Sequence, residues 1–393
     1  MPRALVTGMG CVTPLGVSVP EFEDRLFAGE CGLSEVRRFP TQGLRNPLAG
    51  EVKTVPSLPA WTPPVSAATP DLRFLGAAVD EALRAAGLDP ATGWGTDAGC
   101  VLSTNFAGAA ALDAVGPADV PPLPPLLFDA GLRMLVEGLH LRGPSLTLSM
   151  SCASGTSAIG LAAGWIRSGR TDIAIAAGYD ALSLYVLAGL SILRTVSTDT
   201  CRPFDKARSG TIFSEGAAAV VVESEDRARA RGAQPRAEIL GHADTNNAYH
   251  LTAPDKEGEG IRLAIERALA DARVAPGEID YVNAHGTATL YHDVTEVRAV
   301  KDVLGARAYE IPVTSIKGAC GHLMGAAGAI EFIASVLAIE RNQAPPTLGL
   351  TDPDPECDLD HVPVNARPFP INTVLTNSAG IGGSNASLVL RGL

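Results

Sequence analysis

Short apolar runs alternate with longer stretches of helical periodicity along most of the chain, a pattern that predicts an α/β fold. In the first half the runs predict strands over 3–7, 99–103, 146–150, 172–177 and 217–223. In the second half they predict strands over 237–241, 279–282, 312–316, 373–376 and 386–390. Between these, Ile261, Ile265, Leu269 and Ala272 recur at helical spacing, as do Val294, Val297, Val300, Val303 and Leu304. The most apolar stretch, 173–193, is interrupted by Asp180, Ser183, Tyr185 and Ser191 and reads as buried core rather than a membrane span. Proline crowds residues 115–129, which predicts a surface loop or lid segment.

The two halves rhyme. In each, a strand runs into a cysteine-containing turn and then a small-residue helix: SLTLSMSCASGTSAIGLAAGWI and VTSIKGACGHLMGAAGAIEFIA. In each, a second strand and a glycine turn follow, AIAAGYD and VLTNSAGIGG. A duplication with a joint near 231–236 accounts for this, and so does chance likeness between two Ala-rich helices. At 393 residues the chain exceeds one core of ordinary size, so division into 1–235 and 236–393 is expected.

Composition narrows the function. A net charge of −12 leaves no basic stripe for phosphates, which argues against nucleic acid and against an anionic membrane surface as partners. Cys11, Cys31, Cys100, Cys152, Cys201, Cys320 and Cys357 are odd in number, widely spaced and free of C-x-x-C, so neither a disulfide framework nor a zinc site is expected. Reduced thiols in a cytoplasm fit, and the opening MPRALVTGMG lacks a signal peptide's apolar core.

Cys152 follows the strand pattern SLTLSM and precedes the helix pattern ASGTSAIGLAAGWI. A thiol at such a turn feels the positive end of the helix, which lowers its pKa, and small neighbours leave room for a bulky acyl chain. The other cysteines read as inert core thiols. His285 in YVNAHGTAT and His322 in KGACGHLMG each end an apolar strand among glycines, where ligands gather in an open α/β sheet. His140, His242, His250, His292 and His361 have weaker settings, with His250 placed near a site entrance. Lys317 is either a solvent-facing residue or a buried charge requiring an acid; the buried pair with Glu331 is favoured. Gly380, Gly382 and Gly383 allow backbone N–H groups to approach a substrate and complete an oxyanion hole with the Cys152 amide; otherwise they form an ordinary turn.

In this order, SCASG, NAHGTAT, KGACGHLMGAAGAIE and NSAGIGGSN resemble the elongating (type I/II) β-ketoacyl-acyl-carrier-protein synthases, and the likeness spans nearly the whole chain. The resemblance implies a thiolase fold, two similar halves in a five-layered αβαβα arrangement. It also implies a dimer, a homodimer or a heterodimer, that needs no metal and no cofactor. It gives Cys152 as nucleophile, His285 and His322 as catalytic histidines, Lys317 and Glu331 as their support, and Ile381 as the second oxyanion-hole amide. Thr287 and Thr289 match contacts to a phosphopantetheine arm, and Arg194 and Lys206 match carrier-protein contacts. The implied reaction is decarboxylative Claisen condensation between an acyl group on Cys152 and malonyl-acyl-carrier protein, in fatty-acid, polyketide or polyene assembly. A catalytically silent, chain-length-setting partner subunit is the alternative, and a decarboxylase or hydrolase on the same fold a third.

Some positions depart from the family pattern. Ala379 and Ile381 stand where relatives carry aromatic residues, one of them an acyl-pocket gate. Phe106 stands where relatives place a smaller residue at the pocket floor, which would shorten or reshape the acyl tunnel. The region 109–129 is shorter and more proline-rich than usual, and basic residues are sparse around Arg73.

Overall fold

The computed structural model describes residues 2–63, 69–92, 97–114 and 126–393. Most of the proline-rich segment, 115–125, therefore lies outside the described residues. Among those described, ten strands join in one sheet: β1 (Ala4–Val12), β2 (Gly99–Ser103), β3 (Ser145–Leu148), β4 (Ile173–Asp180), β5 (Gly216–Ser224), β6 (Ala237–Asn246), β7 (Tyr281–Asn283), β8 (Val313–Thr314), β9 (Thr373–Ala379) and β10 (Ser384–Arg391). Each corresponds to a run predicted from the sequence. Their order across the sheet is β8-β7-β9-β10-β6-β1-β5-β4-β2-β3. Strands up to residue 224 thus occupy one side and strands from 237 onward the other. The sides meet where Ala4–Val6 of β1 pair with Ala237–Ile239 of β6.

Helices α1 (Pro70–Ala85), α2 (Ser154–Arg167), α3 (Leu184–Ile192), α4 (Glu259–Ala272), α5 (His292–Leu304), α6 (Lys317–Cys320) and α7 (Ala327–Arg341) fill the layers. α2 and α7 pack on each other and on strands of both sides, forming the middle layer. α1 covers the outer face of the first side, and α4 with α5 covers that of the second. Five layers result. Both faces of the inner strands are therefore buried, which is why they read as continuous apolar runs. In β5, Ala218, Val220 and Val222 face the middle layer, while Ala217, Ala219 and Val221 face α1. Glycine lets the two central helices approach: a Cβ on Gly155 would lie 2.6 Å from Ala329 N, and one on Gly328 would lie 2.2 Å from Thr156 Oγ1.

One expectation holds only in part. The stretch 173–193 begins as the fully buried β4, but α3 lies on the surface, with Tyr185 56% and Ile192 80% exposed. Among the described residues no helix is long and apolar enough to cross a membrane.

Candidate active site

The thiol sits where the first side hands over to the middle layer. β3 ends at Leu148, Ser151 turns through a left-handed conformation (φ 55°), and α2 begins at Ser154. The Ser154 hydroxyl accepts from the Met150 N–H at 2.7 Å and donates to the Ser151 carbonyl at 2.5 Å, bracing the bend. Cys152 is consequently held at the front of α2 and is buried. The Gly-rich loop after β9 closes over it. A Cβ on Gly380 would fall 2.8 Å from Ser151 Cβ and 3.0 Å from Cys152 N, so only glycine permits the approach. Ile381, in this loop, lines the same cavity wall as Cys152.

The sequence predicts a thiol pKa depressed by the helix terminus; the net direction is upward. Burial pushes the Cys152 thiol above its usual 9.0, outweighing the Ser151 hydroxyl, the Lys317 charge and the Ile381 N–H. Local position along the chain indicates the helix field, whereas desolvation comes from segments distant in sequence.

His285 follows β7, and His322 follows α6 after a left-handed Gly321 (φ 73°). The two rings lie 5.4 Å apart between centroids, edge to face. Lys317 is 1% exposed, and its ammonium donates to Glu331, to the His285 carbonyl at 2.5 Å and towards His285 Nδ1 at 3.3 Å. An ammonium has no acceptor capacity, so His285 Nδ1 accepts and its proton resides on Nε2. The Met324 N–H donates to His322 Nδ1 at 3.2 Å, which likewise puts the proton on Nε2. His322 Nε2 is buried with no protein partner. Burial first, then the Lys317 charge, holds both imidazoles well below the usual 6.5. They are neutral rings with one N–H each to donate.

Further anchoring comes from residues that sequence reasoning did not single out. Glu296 accepts the N–H groups of His285 and Gly286 at 2.7 and 2.8 Å. Ser378 donates to Glu331 at 3.3 Å and shares a 2.8 Å hydrogen bond with Thr156. A signal for Glu296 exists: with Asp293, it falls on the same helical stripe as Val297 and Val300, an acid inside an apolar face.

Two cavities meet at the sulfur. The first, about 320 Å³, is walled by Cys152, His285, His322, Thr287, Thr289, Ala379, Gly380, Ile381 and Gly382, with Arg194 on its rim. The second, about 520 Å³, is largely apolar and includes Phe106, Tyr185, Leu190 and Met324. Cys152, Leu193, Phe213 and Ile381 line both.

Residues 1–228 match the model of the beta-ketoacyl synthase N-terminal domain, and 236–351 match that of the C-terminal domain. The chain belongs to the β-ketoacyl synthase family. It is 36% identical over 405 residues to "3-oxoacyl-[acyl-carrier-protein] synthase 2" of Coxiella burnetii, covering 99% of this chain and 98% of that protein. It is 38% identical over 413 residues to "Putative polyketide beta-ketoacyl synthase 1" of Streptomyces cyaneus, with 99% and 98% covered. A solved structure of a type II PKS acyl-carrier protein in complex with its ketosynthase superposes with a TM-score of 0.89 at 30% identity over 100% of both chains. The five layers are those of the thiolase fold, and this β-ketoacyl synthase is a condensing enzyme of the acyltransferase type.

Within this family member, the structure brings Cys152, His285, His322, Thr287, Thr289 and Ile381 to one cavity, with Lys317 and Glu331 directly behind His285. Thr287 and Thr289 share a 3.1 Å hydrogen bond. Phe106 lines the second cavity only. Lys206 is exposed beside Asp354 and does not line either cavity, whereas Arg194 does. His250 accepts the N–H groups of Thr252 and Ala253, both at 3.1 Å, and so shapes a turn on the cavity wall without lining it. His292, ranked low from sequence, lines the first cavity beside His285.

Proposed function

We propose that this β-ketoacyl synthase performs decarboxylative Claisen condensation, joining an acyl group held on Cys152 to a malonyl unit delivered by an acyl carrier protein. The observation that carries this reading is the meeting of one buried thiol and two neutral, N–H-donating imidazoles where a cavity bearing His, Thr and Asn side chains, the polar cavity, meets a more uniformly apolar one.

The Cys152 sulfur attacks the carbonyl carbon of an acyl thioester, and the carrier thiol leaves with the proton. The amides of Cys152 and Ile381 hold the tetrahedral oxyanion. The acyl chain then occupies the apolar cavity past Phe106. A malonyl thioester enters the polar cavity along Thr287 and Thr289, with its carrier docked near Arg194 and Lys206. Nε2–H of His285 and of His322 donate to its thioester oxygen. The bond from methylene to carboxylate breaks, CO₂ leaves, and the electron pair becomes an enolate that those two N–H groups stabilise. The enolate carbon attacks the acyl carbon, and the Cys152 thiolate departs. Because both rings are neutral, they donate without adding a charge that Lys317 would oppose.

Names of relatives support assembly of fatty acids or type II polyketides. The edge strand β3 leaves one ladder open among the described residues, which supports a dimer formed there. Seven free cysteines support a reducing cytoplasm. The test is intact-mass detection of an acyl adduct after incubation with acyl-carrier proteins of varied chain length. The adduct is expected to vanish in Cys152→Ala, while Cys152→Gln keeps malonyl decarboxylation. No adduct with any chain would sink the reading.

A further inference from the structure

His292 opens α5 and lines the polar cavity. Its ring stands edge-on to His285, with centroids 5.1 Å apart and planes at 73°. Both ring nitrogens are buried and neither has a protein partner, the condition also met by His322 Nε2. Glu296 lies 3.9 Å from Nδ1, beyond hydrogen-bond length, and its two oxygens already accept backbone N–H groups. Two buried ring nitrogens without a partner are costly unless a ligand or water pairs with them. Burial and the Lys317 charge hold it to a pKa of about 4, so the ring is neutral and offers one N–H.

A malonyl group brings an anion into this cavity. Among the described residues lining it, the only cationic side chain is Arg194, which is exposed, and the Lys317 charge is taken up by Glu331. The carboxylate must therefore be received by neutral donors. One methylene separates a malonyl thioester carbonyl from its carboxylate, so a thioester oxygen on His285 leaves the carboxylate free to reach the adjacent ring. Resting on the proposed condensation, we infer that His292 is an extender-binding residue: its N–H receives the malonyl carboxylate and selects a carboxylated unit for the polar cavity.

The contact belongs to the ground state, since the carboxylate is lost as CO₂. Removing it raises KM without an equal loss in kcat. In His292→Ala, KM for malonyl-acyl-carrier protein is expected to rise about tenfold or more, the effect of losing one hydrogen bond to a charged group. KM for the acyl-carrier protein that loads Cys152, whose acyl group has no carboxylate, should move far less. His292→Asn keeps a side-chain donor and should recover part of the malonyl KM; His292→Phe keeps the ring edge against His285 and should not. Thermal melts of all three variants check folding. Wild-type malonyl KM in the Phe or the Ala variant, or an equal rise in both KM values, would overturn the inference. Failure of the wild-type protein to acylate Cys152 at all would instead strike the underlying reading.

Discussion

The wall carrying His285, His322 and Lys317 and the wall carrying Phe106 and Tyr185 face the same sulfur, yet they are held in different ways. On the first, a chain of polar contacts holds the framework, Lys317 by Glu331, Glu331 by Ser378, Ser378 with Thr156, and the His285 backbone by Glu296, while His322 Nε2 is left without a protein partner. On the second, Val186, Leu187 and Leu190 of α3 are buried, while Ile192 of the same helix is exposed. Its packing is non-directional, so side-chain size rather than hydrogen-bond geometry defines the cavity. In the proposed condensation, one wall prescribes the reaction and the other measures the guest. The lesson is that changes on the first should abolish chemistry, whereas changes on the second should redirect it.

The largest expected effect lies on the polar wall. His285→Ala or His322→Ala removes one donor from the forming enolate and should slow malonyl decarboxylation about a hundred- to a thousandfold, measured as CO₂ release. Retention of rate in either variant would dissolve the distinction between the walls. Next, Lys317→Ala leaves the Glu331 carboxylate buried and unpaired, and should cost about 3–5 kcal/mol in chemical denaturation. Smaller, and different in kind, is Phe106→Ala. It should extend the acyl groups accepted by Cys152, with a gain of about tenfold for an added methylene that the widened cavity accommodates, read by competitive acylation. Decarboxylation should stay near the starting rate.

The smallest effect is an absence of one. With both imidazoles held well below 6.5, lowering the pH through that value protonates neither, so decarboxylation should show no inflection there. Acylation should behave otherwise. The Cys152 thiol is pushed above 9.0, so its thiolate fraction, and the loading rate with it, should climb with pH through the alkaline range. A loading rate that levels off below that value would show that the helix field wins over burial.

Much of this was legible from residue order. The strands stood out because burial on both faces, as in β5, writes an unbroken apolar run. Cys152, His285 and His322 stood out because a turn between strand and helix needs glycine and small residues, and those surround all three. His292 did not, because it follows the exposed Leu290 and Tyr291 and looks like the polar start of a surface helix. Only the fold lays its ring beside His285. The direction of the Cys152 shift escaped for a related reason: the helix is local, while the loop at 379–383 that helps bury the thiol is more than two hundred residues away. The exposure of α3 was hidden because its residues are apolar on every side, so the pattern carries no face to read.

The close seating of α2 on α7 has a consequence for how the protein answers to its surroundings. Gly155 and Gly328, two positions without side chains, set how near the front of one helix comes to the other. That spacing is established in the deepest layer, insulated from anything that touches the rim. Events at the surface can alter what is admitted and for how long, but the seating of these two helices stays as the interior made it.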